Sequence, residues 1–252
     1  MTLHRKVCLA MTLCGAVGFG ALAFALVPWD PAPGGWPEPA RASDVFTAEQ
    51  INRGEAYARW SRVLSWSSLL VSAAVACWLG FTSRGARLLG GRTSKWPLQV
   101  IGLSAVILLI GQVATLPLSL AFRQRRVDYG LTEQTLTDWA VDLAKNYLLG
   151  LAVTSIALLV LVGCARRWQT WWPAIAGGAC AGLVLAGSYV YPVLVEPLFN
   201  DFSSMPDGDT RSQILALADD EGVAVDDVLI ADASRRTTTL NAYVSGFGDT
   251  RR

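Results

Sequence analysis

The chain has 252 residues, of which 52% are hydrophobic and only 16% are charged. Such a composition is typical of membrane proteins and excludes an ordinary soluble domain as the whole of the chain. Its 21 Lys and Arg and its 20 Asp and Glu give a net charge of +1, so no general attraction for nucleic acid is expected. The only histidine is His4, which excludes a site built from several histidines of this chain.

Five stretches of at least 20 residues contain no charged side chain: residues 7–29, 63–83, 96–122, 146–165 and 168–195. Because a helix rises about 1.5 Å per residue and a bilayer core is about 30 Å thick, about 20 apolar residues suffice to cross it. We therefore predict an α-helical polytopic membrane protein, with about five transmembrane helices in residues 1–195 and the lipid bilayer around them. The absence of charge from the stretches argues against a proton-coupled transporter, whose pathways are marked by ionisable residues.

The first stretch also has features of a signal peptide, because Arg5 and Lys6 precede it and residues 21–23 have the small-x-small form of a cleavage site. Its uncharged run is longer than the roughly 7–15 residues of a usual signal-peptide core. We therefore expect it to be retained as a membrane helix, with cleavage as the alternative.

The connections between the stretches differ in charge on the two sides of the predicted bundle. On one side, residues 1–6, 84–95 and 166–167 carry eight basic residues and no acidic residue. On the other side, residues 30–62 and 123–145 carry eight basic and nine acidic residues. Because acidic residues count for little in the positive-inside rule, only Lys and Arg are compared, and the two sides have eight each. The greater density of basic residues on the acid-free side weakly favours a cytoplasmic N-terminus, which with five spans would put the C-terminal segment outside.

A helix is predicted from Phe46 to Arg62, ahead of the second span. Thr47 is a plausible N-cap, and Gln50 lies three residues later, as in a capping box. We expect this helix to lead straight into the span.

From Glu196 onward the chain carries 11 acidic and 5 basic residues, which indicates a segment outside the membrane. We predict that residues 196–252 begin an α+β domain. The predicted elements are a helix from Asp209, as N-cap, to Glu221 with Gly222 as its C′ residue, a strand over Val228–Ala231, a second strand over Thr237–Ser245 and a turn at residues 246–250. One helix and two strands are too little for an independent core, so we expect the chain to stop within this domain.

Four pieces of the C-terminal segment resemble a known family. They are EPLFNDF at residues 196–202, PDG at 206–208, DASRRTT at 232–238 and NAYVSGFG at 241–248. In this order and spacing they closely resemble the CAAX prenyl protease family of integral-membrane zinc metalloendopeptidases. The resemblance implies a membrane region of five helices followed by the start of an α+β metallopeptidase domain. It also implies a multi-pass protein of the cell membrane with a cytoplasmic C-terminal segment, which the charge density opposes.

The chemistry of this family implies zinc as the cofactor. The metal is held by two histidines of an H-E-x-x-H motif and a more distant glutamate, and the motif glutamate acts as general base. The chain contains no His-Glu pair, so we assign it no catalytic residue and no metal ligand. We expect an N-terminal fragment of a membrane zinc metalloendopeptidase, inactive on its own. The alternative is a non-catalytic relic, or a regulatory or scaffold protein, derived from that family.

The resemblance implies one candidate site, the substrate-binding segment Asn241, Ala242 and Tyr243. In such proteases an Asn-Ala-aromatic segment resembles the edge strand that binds an extended substrate by backbone pairing. The implied partner is therefore a peptide or protein substrate, and prenylated substrates are included. The alternative is that Tyr243 packs in the domain core and Asn241 is a polar residue near a turn. Arg235 and Arg236 could bind a substrate carboxylate, although paired arginines more often form a solvated face.

Overall fold

The computed structural model of the chain describes residues 3–27, 29, 41–90, 95–220, 222, 225, 227–234, 236–239 and 241–243. The described helices are α1 (Leu3–Leu26), α2 (Ala42–Val45), α3 (Ala48–Phe81), α4 (Ser83–Leu89), α5 (Trp96–Asp128), α6 (Leu136–Arg167), α7 (Trp172–Val190) and α8 (Asp209–Asp220). The described strands are β1 (Phe202–Ser204) and β2 (Leu229–Ala231). The structure is thus mostly helical, with a small sheet near its C-terminal end.

Five of these helices are long and apolar enough to cross a bilayer, namely α1, α3, α5, α6 and α7 with the turns that follow it. This confirms the predicted polytopic membrane protein. Three of these helices extend well beyond their charge-free stretches: α3 begins at Ala48, α5 ends at Asp128 and α6 begins at Leu136. Charged helical turns therefore extend beyond the apolar part of the bundle.

The start of α3 follows the predicted capping box. The Thr47 hydroxyl accepts a hydrogen bond from the Gln50 amide at 3.3 Å, and the Gln50 side chain accepts one from the Thr47 amide at 2.9 Å. These two bonds satisfy donors that the first turn of a helix leaves open. From there α3 runs without interruption to Phe81, so the helix predicted from Phe46 to Arg62 does lead straight into the second span.

Four of the spanning helices, α3, α5, α6 and α7, form an open row. Within the described part of the chain, α3 packs on α5, α5 on α6 and α6 on α7, and no other pair of spanning helices packs extensively. The apolar side chains buried among the described residues are Leu79, Cys164, Ala176 and Pro192. Most of the apolar surface of the row consequently faces outward, where a bilayer can cover it.

The end of α7 changes helix type before it leaves the membrane region. A π-helical turn covers Tyr191–Val195, and a 3₁₀ turn covers Glu196–Leu198. Pro192, which is fully buried, has no amide proton to continue the regular ladder, and Pro197 removes a second one. The two prolines thus explain why the regular α-helix ends at Val190.

The sheet is a two-stranded antiparallel ladder. Phe202 pairs with Ala231, and Ser204 pairs with Leu229. The strand predicted over Val228–Ala231 is therefore confirmed for Leu229–Ala231 but not for Val228, and its partner β1 was not predicted. The second predicted strand, Thr237–Ser245, is wrong for residues 237–239 and 241–243, which form no strand. Residues 240, 244 and 245 and the predicted turn at 246–250 lie outside the described residues.

The helix α8 agrees with the prediction except at its start. Asp209 is the first helical residue and not the N-cap. At the other end, Gly222 has a φ of 67°, the left-handed conformation expected of a C′ glycine, and its amide donates to the Asp219 carbonyl at 2.9 Å. The predicted last residue, Glu221, lies outside the described part.

Arg211 holds α8 against the sheet. Its Nη1 lies 2.7 Å from Asp227 Oδ1 and also donates to the Met205 carbonyl at 3.2 Å. The Ser204 hydroxyl donates to Asp227 Oδ2 at 2.7 Å. The Ser204 hydroxyl first, and the Arg211 guanidinium with it, lower the pKa of Asp227 below its ordinary value of 3.8.

We expect the contacts of Asp227 with Arg211 and Ser204 to weaken in acid. Because the folded-state pKa of Asp227 is lowered, its stabilising effect is present above pH 3.8 and is lost as the pH falls below that value. Hydrogen exchange in Asp209–Asp220, corrected for the intrinsic pH dependence, should accelerate as the pH falls below 3.8. Asp227→Asn should remove that dependence, and Asp219→Asn, at an exposed position of the same helix, should retain it. A wild-type rate that does not change would contradict the assignment.

Candidate functional site

The loop of residues 129–135 joins α5 to α6 and lies beside the first turns of α3. Arg53 Nη2 donates to the Tyr129 carbonyl at 3.4 Å, and the rings of Tyr57 and Tyr129 are 5.2 Å apart between centroids. Arg125 stacks on the Tyr129 ring with its guanidinium carbon 5.0 Å from the ring centroid. The start of α3, the end of α5 and the start of α6 thus meet at one end of the bundle.

The C-terminal segment docks on this loop through its backbone and its hydroxyl groups. The Thr238 hydroxyl donates to the Gly130 carbonyl at 2.7 Å, and the Thr238 amide donates to the Leu131 carbonyl at 3.3 Å. In the other direction, the Thr132 hydroxyl donates to the Arg236 carbonyl at 2.8 Å. Thr132 is buried, with 4% of its surface exposed, so this contact is shielded from water. These bonds attach the segment after β2 to the membrane helices.

The side chain of Arg236 connects three parts of the chain. Its Nη2 donates to Asn200 Oδ1 at 2.8 Å and to the Phe199 carbonyl, and its guanidinium carbon lies 5.4 Å from the Phe199 ring centroid. Its Nε lies 3.5 Å from Asp142 Oδ2 on α6. Both side chains of this ion pair are largely buried, with 25% and 18% exposure. The preferred interpretation of Arg236 as part of a solvated face is therefore wrong, and Arg235 lies outside the described residues.

A cavity of about 520 Å³ lies next to Arg236. It is lined by Asn146, Leu149, Tyr191, Val195, Glu196, Phe199, Asn200, Arg236 and Tyr243. Glu196 is buried, with 6% of its surface exposed, so the wall combines a buried carboxylate, a guanidinium and two amide side chains. Such a wall can hold the polar groups of a peptide backbone.

The structure brings one of the three predicted substrate-binding residues to this cavity. Tyr243 lies on its wall, while Asn241 and Ala242 precede it at exposed positions. The exposed fraction of Tyr243 is 54%, which does not fit the alternative of a core residue. The use of the segment for substrate binding stays a prediction.

The sequence interpretation missed the residues of α6 at this site. Asp142 forms an ion pair with Arg236, Asn146 lines the cavity, and Lys145 Nζ donates to the Leu198 carbonyl at 2.8 Å. Residues three and four positions apart share one face of a helix, so Asp142, Lys145 and Asn146 form one polar face. This spacing could have indicated the polar face from the sequence, but it does not show which residues the face contacts.

The described residues do not fit a metal centre. No group of three or more His, Cys, Asp or Glu side chains among them could hold a metal ion. The full sequence contains a single histidine, His4, and no H-E-x-x-H motif.

The chain matches the family model of the N-terminal region of CAAX prenyl proteases, described as five membrane helices, over residues 37–201. It is 32% identical over 155 residues to the uncharacterized metalloprotease YhfN of Bacillus subtilis, covering 62% of this chain and 36% of that protein. It is 27% identical over 154 residues to a CAAX prenyl protease 1 homolog of Arabidopsis thaliana, covering 60% of this chain and 36% of that protein. The chain thus spans little more than a third of the length of these relatives.

The fold is similar to the crystal structure of S. mikatae Ste24p, with a TM-score of 0.64 and 17% sequence identity. The similarity covers 98% of this chain and 59% of that chain, so it includes the bundle and the C-terminal segment alike. The metalloprotease relatives imply a metal cofactor for such proteins. The family model covers well over half of the residues, and the chain therefore belongs to the CAAX prenyl protease family, of which it carries the N-terminal region of five membrane helices.

Proposed function

We propose that this chain is the N-terminal part of a membrane-embedded zinc metalloendopeptidase, which hydrolyses peptide bonds in prenylated or membrane-associated peptides. In this proposal residues 1–195 form the membrane region and residues 196–252 begin the peptidase domain. One observation carries it. Tyr243, from the second part, and Asn146, from the membrane helix α6, line the same cavity.

The proposed substrate site is the segment Asn241, Ala242 and Tyr243 together with the cavity beside it. All three residues are exposed, so an extended peptide can approach their backbone and pair with it as an added strand. The Tyr243 ring would pack on a substrate side chain. Glu196 and Arg236, on the same cavity wall, provide groups of opposite charge that can bind and orient the polar groups of the peptide.

Hydrolysis is proposed to need residues that this chain does not contain. Zinc in such peptidases is held by histidines and a glutamate, and the chain has only His4. We therefore propose that the chain contributes the membrane bundle and the substrate edge and does not hydrolyse peptides by itself.

A second candidate function is that of a non-catalytic regulatory or scaffold protein derived from the family. The two candidates differ in whether a zinc-binding C-terminal part can restore activity to the chain.

The C-terminal segment is proposed to lie in the cytoplasm. The contacts of Thr238 with Gly130 and Leu131 place this segment at the same end of the bundle as the loop 129–135. The family resemblance supports a cytoplasmic location for that end. The density of basic residues on the opposite side weakly opposes it.

Reporter fusions test this orientation. Alkaline phosphatase fused after Arg252 should be inactive, because that enzyme folds only outside the cytoplasm, and a green fluorescent protein at the same position should fluoresce. The matched control is a fusion after Arg87, in the connection between the second and third spans, where both results should be reversed. Active phosphatase after Arg252 would contradict the proposed orientation.

Complementation tests the proposed function. The purified chain with added zinc should not cleave a quenched prenylated peptide, and co-expression with the zinc-binding C-terminal half of a family member should restore chelator-sensitive cleavage. In the restored protein, Tyr243→Ala should raise KM several-fold, as expected for the loss of an aromatic contact worth about 1 kcal/mol. Tyr189→Ala is the control, since Tyr189 has a similar exposed fraction of 48% and does not line the cavity.

Cleavage by the chain alone would contradict the proposed need for another part. If no C-terminal half restores cleavage although the two pieces bind each other, the regulatory or scaffold function is favoured instead.

A further inference from the structure

A second cavity, of about 600 Å³, lies between α3, α5 and α6. Its volume is within the range of about 300–1,000 Å³ that is usual for ligand sites. Among the described residues, α3 and α6 both pack on or beside α5 but do not pack extensively on each other. The cavity is therefore bounded by a pair of helices that leave a gap between them.

The charged side chains that line this cavity among the described residues are both positive. They are Arg123 and Arg126, and the described lining residues include no Asp or Glu. Both arginines follow the charge-free stretch 96–122 within about one helical turn, so they lie at the level where the apolar span ends. This level is that of the lipid headgroups in a bilayer.

The guanidinium of Arg123 can donate a further hydrogen bond to a ligand. Its Nη2 donates to the Gln134 carbonyl at 2.6 Å. Its Nε is buried and has no hydrogen-bond partner among the described residues. A buried donor without a partner is costly, and an anionic oxygen at this position would remove that cost.

Away from the arginines the wall is amphipathic. Ser65, Ser68 and Ser72 lie at spacings of three and four residues along α3 and line the cavity on one face of that helix. Leu69, Leu118 and Leu143 also line it. An elongated ligand with one charged end and an apolar chain matches this distribution better than a small soluble anion does.

We propose that this cavity binds one anionic phospholipid, with its phosphate at Arg123 and Arg126 and an acyl chain directed along α3 and α5. Arginine forks suit phosphate oxygens, and basic pockets between membrane helices bind anionic headgroups. Neither the peptidase assignment nor the substrate segment is needed for this inference.

The lipid would lie next to the site already described. Arg126 and Thr132 both line the second cavity. Arg126 Nη2 and the Thr132 hydroxyl donate to the Arg236 carbonyl at 3.4 and 2.8 Å. Arg236 in turn lines the first cavity. A lipid that holds Arg126 in place therefore also supports the backbone that carries Arg236.

Native mass spectrometry of the 252-residue chain from a neutral detergent tests the proposal, with phosphatidylglycerol and phosphatidylcholine of identical acyl chains as probes. One phosphatidylglycerol should be retained per chain in preference to phosphatidylcholine. Arg123→Gln and Arg126→Gln should each weaken its binding about fivefold, as expected for one basic group at a headgroup phosphate.

The matched control is Arg62→Gln. Arg62 is exposed, lies at the corresponding boundary of the charge-free stretch 63–83 and does not line the cavity. It should retain wild-type binding. Equal retention of the two lipids by the wild-type chain would overturn the proposal whether or not the variants fold. An equal loss in Arg62→Gln, or thermal stabilisation by inorganic phosphate as large as that by phosphatidylglycerol at the same concentration, would also overturn it.

Discussion

The exclusion of charge from the membrane is the constraint on which the rest of the structure depends. The five charge-free stretches leave the ionisable residues in the connections and at the helix ends, because an unpaired charge in hydrocarbon is costly. Since α5 and α6 are neighbours joined by a short loop, Arg123 and Arg126 at the end of one and Asp142 near the start of the other lie at the same end of the bundle. The contacts that hold the C-terminal segment lie at this end of the bundle.

The loop between α5 and α6 provides the surface on which the C-terminal segment docks. Gly130 has a φ of 69°, which lets the chain turn sharply after α5 and direct carbonyl groups away from the helix. The carbonyls of Gly130 and Leu131 accept hydrogen bonds from Thr238, and Asp142 pairs with Arg236. The backbone of the loop and one ion pair thus position the segment that ends at Tyr243.

Patterns that depend on neighbouring residues in the sequence were predicted well. The capping box at Thr47, the C′ glycine at Gly222 and the strand at Leu229–Ala231 follow from local spacing alone. The strand β1 was missed because Ser203 and Ser204 have little strand propensity and are ordered by pairing with β2, a long-range contact.

The error at Thr237–Ser245 has the opposite cause. Three threonines favour a strand, but the Thr238 hydroxyl bonds to Gly130 and the Thr237 hydroxyl bonds to the Thr239 amide at 3.2 Å. Such side-chain bonds compete with a ladder. The contacts of Arg236 were not predicted for a related reason, because its partners Asp142 and Asn200 are distant from it in the sequence. Local sequence patterns therefore predicted most of the helices and strands, whereas the site is formed by residues that only the fold brings into contact.

Disulfide trapping between Leu131→Cys and Thr238→Cys, with the five native cysteines replaced, tests the docking of the C-terminal segment most directly. The Thr238 amide donates to the Leu131 carbonyl at 3.3 Å, so the two cysteines should cross-link under mild oxidation in the bilayer, and Arg236→Gln should slow the reaction. Absence of a cross-link in a chain that stays folded, or a rate that is insensitive to Arg236→Gln, would contradict the account.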